Sequence, residues 1–305
     1  MGKTRKFRVG TRGSALALAQ SRAWVQEWQR VDPGLEVEWV TIVTSGDRIQ
    51  DRFLSEVGGK GLFVKEIESA LLNGEIDLAV HSMKDLPAQM PEGLDLLCIP
   101  RREEPWDVLV TAQAWSLEEL PQGAVVGTSS LRRRVQLGLK RPDLRFELLR
   151  GNIDTRLKKL AAGEFQGIVL AQAGMKRLGL DQSSARPLPL IPAPGQGTLA
   201  IQGRMADQSL RKALRPLMHE ESARLAGLER RVARAFEGHC QLPLACFAQK
   251  KGEAIELEVF LSTPKGERHL HWQGGGPWNS SEALGDRAVQ ELNGRGAGEI
   301  LSACR

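Results

Sequence analysis

The sequence comprises 305 residues, 41% of them hydrophobic and 26% charged, with 42 lysines and arginines against 37 acidic residues and a formal net charge of +5. This composition is typical of a folded protein of two or three domains, and no apolar run reaches the ~18 residues that a membrane span requires. The basic balance favours acidic partners. Aromatic residues make up 5% and tyrosine is absent, so the stacking platforms of single-strand binders are not evident and nucleic acid is disfavoured.

The amino terminus and the cysteines bear on the cellular compartment. The basic segment Met1 to Lys6 leads into a predicted strand rather than into the apolar core of a signal peptide. No Cys-x-x-Cys pair occurs, which argues against a disulfide framework and a structural zinc site. The four cysteines are Cys98, Cys240, Cys246 and Cys304. We therefore expect a cytoplasmic protein in which free cysteines are, in general, packing residues.

Strands and helices alternate over the first hundred residues. A strand over 7–11 precedes Arg12, and Gly13-Ser14 then caps a helix whose apolar residues recur at helical spacing. The next predicted elements are a strand after Pro33-Gly34, a helix over 65–73 and a strand over 94–99. This alternation predicts an α/β domain.

The segment Val80 to Pro87 carries the first catalytic candidate. Its apolar strand runs into the pair Lys84-Asp85 and is then stopped by proline. Such a sequence places both side chains at the carboxyl end of a buried strand, where open α/β sheets bind ligands. Asp85 is therefore a candidate catalytic carboxylate. The alternative is a solvated ion pair at the start of a short helix.

A glycine-rich segment over 57–63 reads VGGKGLF and contains one lysine, Lys60. Its spacing differs from that of a Walker A phosphate loop, which needs Gly-x4-Gly-Lys-Ser/Thr. Two interpretations remain open for this segment. It is either a lid that carries Lys60 over a site or a plain flexible connector.

The second hundred residues repeat the plan of the first after a crossover around 101–105. A capping box at Ser116 to Glu119 precedes a strand over 125–126. That strand ends in Gly127-Thr128-Ser129-Ser130, a turn similar in composition to residues 9–14. Two turns of this kind suggest two related α/β domains that face each other.

The remaining segments complete a three-domain division. Residues 198–217 are expected to return to the first domain. A long helix over 222–236, three alternating strands and a helix over 281–292 predict a separate α+β domain. The predicted domains are 1–100 with 198–217, 105–194, and 220–305.

Arginines crowd the predicted strand-to-helix turns. Arg132, Arg133 and Arg134 occupy the first turn of a helix, where the helix dipole favours negative charge, so something anionic should offset them. Arg150 and Arg156 flank the next helix start in the same way, and Arg12 lies at the first turn. We expect these turns to share an anion-binding cleft; the alternative is that the arginines only solubilise a surface.

Seven motifs, taken in order, resemble one family along nearly the whole chain. They are TR-x-S at 11–14, VGGKGLF at 57–63, HSMKD at 81–85, GTSSLRR at 127–133, LRGN at 149–152, GQG at 195–197 and CQLP at 240–243. The chain is similar to the hydroxymethylbilane synthases, also called porphobilinogen deaminases. The resemblance implies two domains like the halves of periplasmic binding proteins and a smaller α+β domain with a three-stranded antiparallel sheet.

The resemblance also implies a chemistry and a set of site residues. The family condenses four porphobilinogen molecules on a dipyrromethane cofactor held by a thioether, here on Cys240, and requires no metal. Asp85 would be catalytic and would also contact the cofactor. Cofactor binding would further involve Lys84, Ser129, Ser130, Arg132, Arg133 and Arg156. Substrate contacts would come from Arg12, Ser14, Gln20, Arg150, Arg177 and Gln196, with Lys60 and Phe63 on a lid. A monomer that binds porphobilinogen and the growing polypyrrole chain is expected.

Three positions depart from the family pattern. His239 stands where a second glycine usually precedes the cysteine, Glu56 where lysine is common, and Ala15 where proline is common. None of these positions belongs to the implied catalytic set. The rival interpretation is a non-catalytic, two-lobed protein that binds an anionic solute, because an arginine-lined cleft also serves solute receptors and effector-binding domains.

Overall fold

The framework consists of two five-stranded sheets and one three-stranded sheet. The computed structural model describes residues 5–48, 61, 64–236 and 242–304. In spatial order, the strands of the first sheet are β2 (Leu35–Ile42), β1 (Arg5–Arg12), β3 (Leu78–Ser82), β10 (Leu199–Arg204) and β4 (Leu94–Cys98). Its helices are α1 (Ala15–Val31), α2 (Ser45–Arg48), α3 (Lys65–Leu72) and α7 (Gln208–Leu214).

Helix α1 shows how local sequence sets these elements. It begins where the Ser14 hydroxyl accepts a hydrogen bond from the Ala17 amide at 3.3 Å, satisfying a backbone donor that the helix itself cannot pair. Its buried face carries Trp24 and Trp28, which pack against Val9 of β1 in the first core. The helix is thereby fixed against the sheet directly beside the end of β1.

The second sheet repeats the first. Its strands, in spatial order, are β7 (Arg145–Glu147), β6 (Val125–Gly127), β8 (Gly167–Ala171), β5 (Asp107–Val110) and β9 (Ala185–Pro187), and its helices are α4 (Leu131–Lys140), α5 (Ile153–Ala161) and α6 (Gln172–Arg177). In each sheet three strands pair in parallel, and the next strand, β10 or β5, runs antiparallel. The repeated α/β plan predicted from the two similar turns is confirmed.

Two crossings of the chain join these sheets. β5 enters the second sheet directly after β4 of the first, and β10 enters the first sheet after β9 of the second. The crossings lie over 99–106 and 188–198. Because the ends of β1, β3, β6 and β8 open onto the same cavity, side chains that follow these strands meet between the sheets.

The carboxyl-terminal unit is an antiparallel sheet covered by helices. Its strands are β11 (Leu244–Lys251), β12 (Ala254–Ser262) and β13 (His269–Pro277), and its helices are α8 (Glu220–Phe236), α9 (Ser281–Gly294) and α10 (Ala297–Ser302). Phe236, Val259 and Trp272 lie in one buried cluster with residues of α9 and α10. The predicted fold class, two α/β units and a smaller α+β unit with three antiparallel strands, is confirmed.

Several local details differ from the sequence prediction. Strands β5 and β9 and helix α10 were not predicted. The capping box forms both of its hydrogen bonds, Ser116 N to Glu119 Oε2 at 2.7 Å and Glu119 N to Ser116 Oγ at 3.4 Å, but on a turn rather than an α-helix. The domain limits stated above stay a prediction. None of the described helices combines the length and apolarity needed to cross a bilayer.

Candidate active site

A cavity of about 620 Å³ lies between the first and second sheets. It has the size of a small-molecule site, and side chains of both α/β units line it. The predicted residues that line it are Arg12, Ser14, Lys84, Asp85, Ser129, Arg133, Arg150, Arg156 and Arg177. The structure thus brings together nine of the predicted site residues. Lys60, Phe63 and Cys240 lie outside the described residues, as do Glu56 and His239.

Lys84 and Asp85 project into this cavity from the end of β3. They belong to a single 3-10 turn, Met83–Asp85, whose first residue is buried. Gly195 allows the close approach, because it has φ +72° and a Cβ there would lie 2.7 Å from the Met83 side chain. Both Lys84 and Asp85 are open to the water of the cleft, and in the described part of the chain no residue forms a salt bridge with Asp85.

Lys84 lies among other cations. Although its side chain reaches the water of the cleft, Lys84 is surrounded by protein on the other sides; the resulting desolvation, followed by the charge of Arg133, lowers the pKa of Lys84 to about 8. Its Nζ lies 3.4 Å from Oε1 of Gln196. An anionic ligand is favourable beside Lys84, because a carboxylate would offset the positive charges of Lys84 and of the arginines around it.

Arg12 is paired within its own unit. Its Nε lies 3.2 Å from each carboxylate oxygen of Asp47, and the two side chains are 22% and 25% exposed. Burial alone would raise the pKa of Asp47, but hydrogen bonds from Arg12 and Thr44 lower it. Arg12 also lines the cavity, so it presents a guanidinium whose orientation Asp47 holds.

A buried carboxylate that the sequence prediction missed, Asp107, neutralises the second arginine turn. Arg132 Nη1 lies 2.7 Å from Asp107 Oδ2, and Arg133 Nη2 lies 2.7 Å from Asp107 Oδ1. Burial would raise the pKa of Asp107, but the charges of Arg132 and Arg133 hold it well below its usual range. The anion expected to offset these arginines is therefore, at least in part, a residue of the chain itself.

Arg132 and Arg133 differ in what else they reach. Arg132 donates to Ile191 O at 2.7 Å and does not line the cavity, whereas Arg133 lines it and donates to Val169 O at 2.8 Å. Ser130 also stays out of the lining, because it caps α4 by accepting from the Arg133 amide at 3.4 Å. Arg133 is thus the cation of this turn that a ligand can touch.

The cleft has two walls, the first formed by the first α/β unit and the second by the second α/β unit. Gln196 connects them. Its Nε2 donates to Pro105 O at 2.6 Å and to Asp107 Oδ1 at 3.0 Å, and its Oε1 faces Lys84 and, at 3.5 Å, Arg132. Gln196 is 1% exposed. Its contact with substrate stays a prediction; within the protein, Gln196 links Lys84 of the first wall to Asp107 of the second.

A second unpredicted carboxylate, Glu229, holds both crossings from the third unit. It is fully buried and pairs with Arg102 at 2.6 Å. It also accepts from the amides of Gly195 at 2.7 Å and Ala248 at 2.8 Å. An acidic residue on the apolar face of α8 is the sequence signal for such a role; for Asp107 the signal is an acid that opens an apolar strand.

Arg156 and Arg177 complete the second wall. Arg156 Nε donates to Gly151 O at 2.8 Å, and Arg177 Nη2 donates to Gly197 O at 2.6 Å. Desolvation lowers the pKa of each to about 10. Each guanidinium has five N–H groups, so one backbone contact orients it and leaves donors for a carboxylate ligand.

A recess of about 40 Å³ opens beside Asp85. Gln20 and Ser82 line it, and the Ser82 hydroxyl donates to Gln20 Oε1 at 3.0 Å. His81 forms another part of the wall; burial lowers the pKa of His81 to about 4, so the imidazole is neutral at pH 7. Gln20, predicted to contact substrate, thus reaches the recess rather than the main cavity.

Comparison with known proteins gives two family matches. A model described as porphobilinogen deaminase, dipyromethane cofactor binding domain, matches residues 7–212. A model described as porphobilinogen deaminase, C-terminal domain, matches residues 223–294. Together they cover most of the chain, including both cleft walls and the third unit.

Among solved structures the likenesses are weaker. The sulfate-bound regulatory domain of an OxyR2 mutant from Vibrio vulnificus is 14% identical, with 75% of this chain and 98% of that chain covered and a TM-score of 0.43. A nutrient binding protein from Burkholderia cenocepacia bound to methionine is 16% identical, with 68% and 89% covered and a TM-score of 0.43. These likenesses carry no argument about the activity of this chain.

Proposed function

The chain belongs to the porphobilinogen deaminase family, and on this premise we propose that it is a hydroxymethylbilane synthase. It would deaminate four porphobilinogen molecules, join them head to tail and release linear hydroxymethylbilane by hydrolysis, as a transferase of tetrapyrrole biosynthesis. The observation that carries this proposal is an exposed carboxylate at the end of β3, that of Asp85, in a cavity lined by six basic side chains.

The cavity fits the dipyrromethane cofactor of the family. Each pyrrole bears acetate and propionate arms, so the group is a polyanion, and Lys84, Arg133 and Arg156 line the cavity with donors. We propose that these residues and Ser129 hold the carboxylate arms, and that Cys240 provides the thioether. When bound, the cofactor supplies the pyrrole α-carbon to which the first monomer is joined. Arg132 and Ser130 would act indirectly, through Asp107 and the α4 cap.

Asp85 is the residue for the chemistry itself. Loss of ammonia from porphobilinogen leaves a positively charged pyrrole, and a carboxylate beside it stabilises the charge. The same carboxylate can accept the proton that leaves the attacking α-carbon, restoring aromaticity. General acid–base assistance of this kind contributes about 10²–10⁴-fold in rate.

Two other carboxylates line the cavity, and each is better explained by another role. Asp47 is paired with Arg12. Asp154 lies in the first turn of α5, where a negative charge complements the helix dipole. Asp85 is therefore the preferred candidate for proton transfer.

The incoming monomer would be held by residues of both walls. Arg12, Ser14 and Gln20 come from the first unit, and Arg150 and Arg177 come from the second. Gln196 would contribute by aligning Lys84 and Asp107 rather than by direct contact. The lid residues Lys60 and Phe63, the monomeric state and the cytoplasmic location stay predictions.

Mass spectrometry of the intact protein tests the proposal against the non-catalytic alternative. The expressed protein should carry a covalent dipyrrole increment that is absent from the Cys240→Ser variant. Incubation with porphobilinogen should release hydroxymethylbilane. A folded, unmodified protein that consumes no porphobilinogen would exclude the enzyme and favour an anion-binding protein.

A further inference from the structure

The recess beside Asp85 is much smaller than the main cavity. Its volume of about 40 Å³, against about 620 Å³ for the cavity, exceeds the ~10–15 Å³ that a single water molecule needs. An ammonium group is of the same size. The polar groups around the recess therefore decide which small group it receives.

Most of these polar groups can accept hydrogen bonds. The Asp85 carboxylate and the Ser82 and Gln20 oxygens lie in its wall. Ser82 Oγ already donates its proton to Gln20 Oε1 at 3.0 Å, so each oxygen keeps a lone pair. Arg12 is the one cation in the wall among the described residues, and it is paired with Asp47. The recess is suited to an N–H donor.

Buried polar side chains also lie between this recess and α3. His81 pairs with Ala200 across β3 and β10, and Gln202 lies two residues further along β10 on the same face of the sheet. Gln202 Nε2 donates to Glu68 Oε1 at 3.0 Å. Glu68, Gln202 and His81 are all buried, with 9%, 0% and 5% exposure.

The direction of the hydrogen bonds among these side chains follows from Glu68. A carboxylate only accepts, so Glu68 turns the NH₂ group of Gln202 towards itself and leaves Gln202 Oε1 facing the other way. Within this group of described side chains, Gln202 Oε1 and His81 Nε2 are the two buried atoms that have no hydrogen-bond partner, and both side chains lie on the same face of the sheet. A neutral imidazole with its proton on Nε2 would let these two atoms satisfy each other and would leave Nδ1 as an acceptor.

We propose that the recess is the pocket for the aminomethyl ammonium group of the incoming monomer, and that Glu68 and Gln202 hold His81 in the Nε2–H tautomer so that Nδ1 accepts from that ammonium. This assignment rests on the proposed function. It makes His81 a substrate-positioning residue and Glu68 a residue that acts on substrate only through Gln202 and His81. The leaving nitrogen then lies beside Asp85, where ammonia must depart.

Nitrogen-15 NMR of histidine-labelled holoprotein tests the tautomer without reference to activity. The His81 signals are assigned by their loss in His81→Asn. Wild-type protein at pH 7 should show protonated Nε2 and bare Nδ1, and Glu68→Gln should show a mixture of tautomers, because a glutamine at this position can donate or accept. Protonated Nδ1 in the wild type overturns the inference.

Two controls separate this effect from a general disturbance. Glu66→Gln alters a carboxylate on the same helix that accepts from Ser45 N at 2.9 Å, and it should leave the His81 tautomer unchanged. His219 accepts from the Ser222 amide at 3.2 Å, and its signals should be the same in all variants. A change at His219 in Glu68→Gln would instead indicate a structural change and count against the inference.

Kinetics tests the ammonium pocket. Loss of one hydrogen bond to a charged group corresponds to about tenfold in affinity, so Glu68→Gln should raise KM for porphobilinogen about 5–10-fold with kcat nearly unchanged. His81→Asn, which keeps an acceptor near the Nδ1 position, should retain more affinity than His81→Leu. An altered tautomer with unchanged KM would refute the pocket, whereas a protein that makes no hydroxymethylbilane at all would refute the proposed function and leave the tautomer result standing.

Discussion

The turns at 9–14 and 126–130 have the same backbone arrangement, but their arginines form ion pairs that differ in burial. In each, a parallel strand is followed by a serine that caps the next helix, Ser14 for α1 and Ser130 for α4. The first turn places Arg12 beside Asp47 with both side chains partly exposed. The second turn places Arg132 and Arg133 against a carboxylate with 0% exposure, that of Asp107.

The difference separates charges that a ligand can reach from charges that hold elements of the fold together. Charges on the first wall are open to the cleft, so a ligand can compete for them or bind beside them. In the second wall, part of the positive charge is paired with Asp107, which also accepts a hydrogen bond from Gln196. These contacts hold α4 against the crossings. Removing one partner of a buried ion pair is far more costly than removing one partner of an exposed pair. The two walls should therefore respond differently to equivalent substitutions.

The largest effect is expected at the open carboxylate of the first wall. Asp85→Asn should lower kcat by about 10²–10⁴-fold, because the general acid–base group is lost, while the covalent dipyrrole increment remains. Asp47→Asn, which alters a paired carboxylate on the same wall, should lower kcat by less than about tenfold. Steady-state production of hydroxymethylbilane measures both. Normal turnover by Asp85→Asn would remove Asp85 from the mechanism.

The next effect concerns stability of the second wall. Asp107→Asn should lower the free energy of unfolding by about 3–5 kcal/mol, because two arginines lose their buried counter-charge. Asp47→Asn should cost about 1 kcal/mol or less. Urea unfolding monitored by tryptophan fluorescence compares the two variants. Equal losses would contradict the division between the walls.

The ion pairs of Asp107 make the free energy of unfolding depend on pH. The pKa of Asp107 is lower in the folded protein than the ~3.9 of an unfolded aspartate. Its stabilising contribution is therefore fully present above about pH 4 and is lost as the pH falls through the folded pKa. Asp107→Asn should show less of this acid-induced loss than the wild type.

The pKa of Lys84 measures how strongly the charge of Asp107 acts across the cleft. In the Cys240→Ser protein, carbon-13 NMR of reductively methylated lysines should show Lys84 titrating near pH 8, with the signal assigned by Lys84→Arg. Asp107 raises this pKa, so Asp107→Asn should lower the midpoint further. Carboxylate binding by Lys84 should weaken as the pH rises through 8. A midpoint near the ordinary ~10.4 would contradict the crowding of cations described here.

The smallest effect should be alike in both turns. Ser14→Ala and Ser130→Ala each remove a helix cap and should each cost about 1 kcal/mol in urea unfolding. Similar losses would show that the turns are equivalent as backbone devices. A loss at Ser130 several times larger would mean that its cap also supports the Asp107 pair.

Much of the fold could be predicted because its signals are local. Alternating strands and helices, the Ser14 and Ser130 caps and the repeated turn are visible within windows of about ten residues. The short strands β5 and β9 were missed because three or four residues carry little periodicity. The position of Lys84 and Asp85 in the cleft was predicted for a similar reason, since an apolar strand followed by polar residues points to a strand end.

The remaining site residues depended on contacts that are distant in sequence. Asp107 and Arg133 are 26 residues apart, and Arg102 and Glu229 are 127 apart. A sequence shows that an aspartate is present but not whether it is buried, and burial decides whether its charge binds a ligand or a neighbour. For the same reason the sequence could not show that Arg132 pairs with Asp107 and donates to Ile191 O of the second crossing; its role in cofactor binding stays a prediction.

The sequence by itself determined the two related α/β units, the antiparallel third unit, the arginine-bearing turns and the candidate acid Asp85, because each depends on neighbouring residues. The tertiary structure alone decided which charges are available. It paired Arg132 and Arg133 with Asp107, joined both crossings to Glu229 and placed His81 and Gln202 on the same face of the first sheet. Electrostatic roles depend on burial and on partners across the fold, and only the folded chain brings those partners together.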